Sequence, residues 1–179
     1  MQPLPLRIEA VPGYTPAIGR LVAMLTYARG TTLKAVEGLS IEQLDYLHDA
    51  HSNSIGALLA HMVAVECSYQ VLTFEGRLLT ATEDAQWASA LKLGPDGQRE
   101  LRGQPLEVYL ASLQRTRAIT LASLATRNDA WLDQSVAVTP MINAHWAWFH
   151  VAEDEINHRG QIRWLRTRLG PNTSQRGVT

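Results

Sequence analysis

Four stretches of this chain repeat apolar side chains at intervals of three and four residues, and almost nothing in it alternates in period two. Coiled as α-helices, such stretches each turn one apolar stripe inward, and they leave little that a sheet could use. The first, "TPAIGRLVAMLTYARGTTLKAVEGLS", offers Thr15 as N-cap and Pro16 as first helical residue. It repeats Ile18, Val22, Leu25 and Leu33, and Gly38 stops it. The second opens at "NSIGALLAHMV" with Asn53 or Ser54 as cap and runs towards Gly76. The third starts near Pro105 and carries Leu106, Leu110, Leu113 and Leu121; Thr139 and Pro140 open the fourth, which Gly170 and Pro171 close.

Shorter signals fill the gaps. Ser40 and Gln43 have capping-box spacing, and "TEDAQWASALKLG" reads as a short helix capped by Thr82, with Glu83 and Asp84 in its first turn. Gly94 to Gly103 reads as a loop and "WLDQSVAVTP" as a connection. The expected fold class is all-α: a four-helix bundle with short extra connecting helices. Its 179 residues suit a single domain, residues 1–179, with its core over 15–170 and a frayed tail over 171–179.

Composition narrows the function classes. Apolar residues make up 46% and charged residues 18%, with a net charge of -1, so the basic footprint of a nucleic-acid binder is missing. The single cysteine, Cys67, excludes an internal disulfide and points to a reducing, cytoplasmic setting. "MQPLPLRIEAVPGY" lacks the charged and apolar regions of a signal peptide. The most apolar stretch, "SIGALLAHMVAVECSYQVL", is broken by His61, Glu66 and Gln70, which suits a buried helix better than a membrane span.

The polar residues on inward stripes carry the chemistry. Residues four apart on a helix differ by only about 40° in direction. His61 shares its stripe with Ala57, Leu58, Val65 and Leu72; Asp154 and His158 share theirs with Ala147, Val151, Ile162 and Leu165, while Arg159, Arg163 and Arg166 fall opposite. An ionised carboxylate facing a core costs several kcal/mol unless it is paired or coordinated. No basic residue shares Asp154's stripe, so either a protonated His158 pairs with it or a cation sits between them. Residues four apart hold their Cβ atoms about 5–6 Å apart. Both can then reach one ion at bond lengths of about 2.0–2.2 Å, and His61 supplies the third ligand from another helix. Two imidazoles and one carboxylate leave positions free for water or substrate, as in a catalytic rather than a structural site.

His150, one turn before Asp154, is read first as an outer donor or pocket wall and second as a fourth ligand. His48, His51 and His145 lie near helix ends or loops and read as solvated. Cys67 lies about 240° around the helix from His61 and reads as a small buried hydrophobe. Trp146, Gly160 and Trp164 share one flank, which suits either a subunit interface or packing within the bundle.

With "GLS" at 38–40, "SIGALLAHMVAVE" at 54–66 and "EINHRGQIRWLR" at 155–166, the chain resembles the DinB/YfiT-like metal-binding superfamily, over residues 16–170. The resemblance implies a four-helix bundle, a homodimer, and three histidines on a divalent metal, commonly zinc or nickel. His61 and His158 match two of those histidines, and Asp154 stands where the third is expected. Asp admits zinc, nickel, manganese or iron; its negative charge lowers the ion's Lewis acidity and favours harder metals. The same departure also fits a site that has lost its metal. Relatives include transferases and isomerases that activate a low-molecular-weight thiol as thiolate.

Two readings follow. The first is a metal-binding protein with an open site of His61, Asp154 and His158, acting as a thiol transferase or hydrolase on a small-molecule thiol. His150 or Glu155 would assist proton transfer, with neither nucleic acid nor membrane as partner. The alternative is a metal-free module for small ligands or stress response, with Asp154 paired to a protonated histidine.

Overall fold

A computed structural model of the chain describes residues 6–169. Four long helices dominate it: α1 (Pro16–Val36), α3 (Ile55–Gln70), α6 (Leu106–Ala125) and α8 (Ala144–Arg166). Between them lie α2 (Ile41–Leu44), α4 (Ala81–Lys92), α5 (Gly94–Glu100) and α7 (Asp129–Leu132), and a two-stranded antiparallel ribbon of β1 (Ser135–Val136) and β2 (Thr139–Asn143). The fold is all-α apart from that ribbon. The fourth long helix begins at Ala144 with the Asn143 side chain as cap; Thr139 and Pro140, read as its start, belong to β2. Pro140 adds no backbone donor, which a short edge strand tolerates. Gly94 to Glu100, read as loop, coils as α5, and α4 is capped by Thr80 rather than Thr82, in a full capping box with Glu83. The closing signal at Gly170 and Pro171 lies outside the described residues.

Around the bundle, α1 packs on α8, α8 on α3, and α3 on α6, whereas α6 and α1 barely touch. Two apolar clusters fill the interior. One gathers Val36, Ile55, Leu58, Leu59, Leu113 and Ile162; the other packs Ile18, Leu21, Leu25 and Leu124 around the fully buried Trp148. Ile55–Glu75 is long and apolar enough to cross a membrane by length and composition alone, but most of it is buried within the bundle. The α1 terminus shows how tertiary contacts replace local ones. Thr15 sits at the N-cap, yet its side chain caps nothing; Asp129 of α7 accepts the backbone N–H groups of Ala17 and Ile18 at 3.0 and 3.2 Å.

The layer between the two clusters is charged. Each long helix contributes one group: Arg29 from α1, Glu66 from α3, Arg117 from α6 and Glu155 from α8. Arg29 donates to Glu155 and Glu66 at 2.8 and 2.9 Å, and Arg117 donates to the same two carboxylates at 3.1 and 2.7 Å. The spare guanidinium donors reach the carbonyls of Leu113 and Leu25. Glu66 is 1% exposed and Glu155 2%. Burial opposes ionisation of Glu66, but Arg117 and Arg29 outweigh it and hold the carboxyl below its ordinary range. Two cations and two anions leave this layer neutral, so none of its charge is left over for Asp154.

Candidate metal centre

Across the seam between α3 and α8, His61 faces His158 with ring centroids 4.6 Å apart, and Asp154 lies one turn from His158. Asp154 Oδ1 stands 3.3 Å from His158 Nε2 and 3.6 Å from His61 Nε2. One ligand atom from each of the three residues lies within 4.8 Å of the others. The side chains are 11% exposed for His61 and 14% for Asp154 and His158, enough to leave one side open.

Hydrogen bonds on the far nitrogens set the direction of both rings. His61 Nδ1 lies 2.7 Å from the Ala90 carbonyl at the end of α4. A carbonyl can only accept, so Nδ1 carries a proton and the ring turns Nε2 towards Asp154. His158 Nδ1 donates likewise to Gln161 Oε1 at 3.1 Å. Such outer bonds orient metal-ligating histidines. Burial alone would raise the pKa of Asp154. Hydrogen bonds from His158 and His61, with their charge, outweigh burial and hold the carboxyl well below the usual carboxylate range. Burial alone would lower His158, but Asp154 raises it above its ordinary value.

This donor set fits a divalent ion. On a tetrahedral ion with bonds of about 2.0–2.2 Å, neighbouring ligand atoms stand about 3.3–3.6 Å apart. The two contacts to Asp154 fall at those separations. Three ligands, two of them imidazoles whose Nε2 atoms face the Asp154 oxygen, leave a coordination position open. Among the described residues no fourth His, Cys, Asp or Glu joins the group.

The other residues singled out in the sequence take different places. His150 lies one turn before Asp154, half-buried, its ring stacked on Trp146 at 5.0 Å and tilted against Tyr69 at 5.6 Å. Its Nδ1 lies 3.3 Å from Glu153 Oε2. Glu155, read as an aid to proton transfer, turns instead into the charged layer, where Arg29 and Arg117 take both carboxylate oxygens. Cys67 is partly buried beside Thr116, away from the cluster. Trp146 and Trp164 stay 44% and 45% exposed, so packing within the bundle does not cover them.

Tyr69 was not singled out in the sequence. It sits two turns along α3 from His61, and burial and the nearby Asp154 charge both raise its phenol pKa. The signal was its i+8 position on the stripe of His61. Arg29, Glu66 and Arg117 were also missed, although Arg29 continues the apolar series from Leu25 and Glu66 interrupts an apolar run.

A four-helix bundle with a His–Asp–His group on facing helices is a DinB/YfiT-like metal-site bundle. The family model described as Mycothiol-S-transferase matches residues 20–171, most of the chain. This chain belongs to that family, which is one of metal-dependent thiol transferases. No curated protein sequence matches it at a significant level.

Proposed function

We propose that this protein is a metal-dependent thiol S-transferase in which His61, Asp154 and His158 hold the ion. The observation that carries the reading is the convergence of three donor atoms within 4.8 Å, with both imidazoles tied back at Nδ1. Zinc or nickel suits the imidazole pair; the Asp154 oxygen also admits manganese or iron. When bound, the ion supplies the Lewis acidity that favours a thiolate at neutral pH. The family match supports a low-molecular-weight thiol, mycothiol being the one it names, as the substrate.

The remaining steps fall to the chain's own residues. His150, donating from Nδ1 to Glu153, offers Nε2 as proton acceptor. The thiol S–H bond breaks, the proton passes to His150 Nε2, and the electron pair stays on sulfur. The sulfur then forms a bond to an electrophilic carbon of the second substrate as the leaving group departs. Trp146 stacks on the His150 ring and Tyr69 tilts against it. Glu155 acts at one remove, fixing α8 through its two arginines. A single free cysteine supports a cytoplasmic setting, and the net charge of -1 supports neither nucleic acid nor membrane as partner. Exposed Tyr27, Phe149 and Ile156 on α1 and α8 support a homodimer.

A second reading has one observation in its favour: Asp154, 3.3 Å from His158 Nε2, raises the pKa of that ring and so favours a protonated imidazole as its partner in place of an ion. Metal analysis of protein purified without added metal separates the two. The transferase reading expects about one divalent ion per chain, lost in His61→Ala together with thiol transfer. No uptake of zinc, nickel, manganese or iron, even on equilibration, would leave the metal-free ion pair.

A further inference from the structure

Of the four seams between neighbouring long helices, three are packed and the fourth, between α1 and α6, stays open. A cleft of about 660 Å³ occupies that seam. Two reciprocal bonds span its floor. Arg29 of α1 donates to the Leu113 carbonyl of α6 at 2.6 Å, and Arg117 of α6 donates to the Leu25 carbonyl of α1 at 2.7 Å. The two arginines act as struts that hold the helices a side chain apart, and the charged layer fixes the struts, so the cleft is built into the fold. None of His61, Asp154 and His158 lines it.

The lining has a definite chemistry. Leu33 of α1 and Leu106, Leu110 and Leu121 of α6 form its walls. Arg29 and Arg117, which also line it, are 8% and 7% exposed. Every nitrogen of both guanidinium groups already donates, to Glu66, Glu155 or one of the two carbonyls. Those bonds lie in the plane of each group. What the arginines still offer to the cleft is methylene stem and flat guanidinium face, a surface on which an aromatic ring stacks.

Charge excludes one class of occupant. Glu66 and Glu155 neutralise the two arginines, no lysine lines the cleft among the described residues, and Glu37 adds an exposed carboxylate at its edge. An anion would be desolvated there with no cation left to pair with it. A hollow of similar volume between α3, α4 and α6 differs in character. Its lining carries both Glu100 and Arg115, together with Gln86, Ser89, Ser112 and Thr116.

We propose that the α1–α6 cleft is a second binding site, one that takes an uncharged, planar aromatic molecule. The ring lies between the leucine walls and over the Arg29 and Arg117 guanidinium groups. Small-molecule pockets run from roughly 300 to 1,000 Å³, and this cleft falls within that range. Leucine on the walls buries the ring faces and edges, and the spent guanidinium groups supply a cation–π floor without demanding a negative charge in return. The site is separate from the metal group and does not depend on it.

Two fluorescent probes test it, because N-phenyl-1-naphthylamine and 8-anilino-1-naphthalenesulfonate share one ring system and differ by a sulfonate. Each is titrated into the full chain without added metal. The neutral probe should bind saturably and at least about tenfold more tightly than the sulfonate. Its ring current should move the side-chain Nε–H signals of Arg29 and Arg117 in ¹H–¹⁵N spectra. Ala118→Trp, at an exposed α6 position on the cleft, should weaken the neutral probe at least about tenfold. Ala85→Trp, in the α3–α4–α6 hollow, should leave it unchanged, with circular dichroism checking that both variants fold. Should Ala118→Trp fail to fold, the arginine signals of the unaltered chain decide alone. The proposal is overturned by absence of saturable binding, by sulfonate binding as tight as that of the neutral probe, or by arginine signals that stay in place. Binding that survives in folded Ala118→Trp, or is lost in folded Ala85→Trp, overturns it as well.

Discussion

Replacing Glu66 by glutamine keeps the shape of the side chain and removes one charge from the centre of the bundle. Every group facing this carboxylate is a donor: Arg117 Nε at 2.7 Å and Thr120 Oγ1 at 2.6 Å on one oxygen, Arg29 Nη2 at 2.9 Å and Arg117 Nη2 at 3.1 Å on the other. Whichever way the glutamine amide turns, its NH₂ meets at least one guanidinium N–H. The layer also passes from neutral to a net buried positive charge. Removing one partner of a buried ion pair costs about 3–5 kcal/mol. In a chain of this size each kcal/mol moves the thermal midpoint by about 2–4 °C, so Glu66→Gln should lower it by roughly 6–20 °C. Urea and thermal unfolding at pH 7, followed by circular dichroism, measure both quantities. A loss below about 1 kcal/mol would refute the reasoning, because it would mean that solvent reaches these charges and screens them as it does surface pairs. The pH dependence supplies a second check. The Glu66 pKa in the folded protein lies below its ordinary 4.5. Its stabilisation is therefore complete above that value and is lost as pH falls through the folded pKa. The gap between wild type and Glu66→Gln should hold from neutral pH down to about 5 and close in stronger acid.

Other outcomes follow from the cluster and from two glycines. Because Asp154 raises the pKa of His158, a metal ion must displace a proton there. Zinc affinity should rise from pH 6 to pH 8 with about one proton released per ion, and calorimetry in buffers of different ionisation heat should show it; a flat affinity would exclude His158 as a ligand. Asp154→His exchanges the charged oxygen for an imidazole and should shift preference from manganese towards zinc and nickel in competition binding. Gly19→Ala should destabilise by about 1–3 kcal/mol, since a Cβ there would stand 2.6 Å from the Val11 backbone nitrogen. Gly160→Ala, with open space around it, should stabilise by about 0.5–1 kcal/mol. Chemical denaturation of the two variants side by side checks both signs.

Periodicity and caps determined on their own that the chain forms four long helices and which stripe of each turns inward. That was enough to bring His61, Asp154 and His158 to one point, because a residue's direction on a helix depends only on its place in the repeat. Where elements begin was less legible: β2 replaced the expected start of the fourth helix at Thr139, and Asp129 took over the capping expected of Thr15. The Asp129 contacts join residues more than a hundred positions apart, and no local pattern encodes them. The roles of buried charges were likewise decided by tertiary structure. Glu155 follows Asp154 directly, yet one meets two arginines and the other two histidines. A single step of about 100° around α8 separates those surroundings. What fills each direction is fixed only when α1, α3 and α6 are in place.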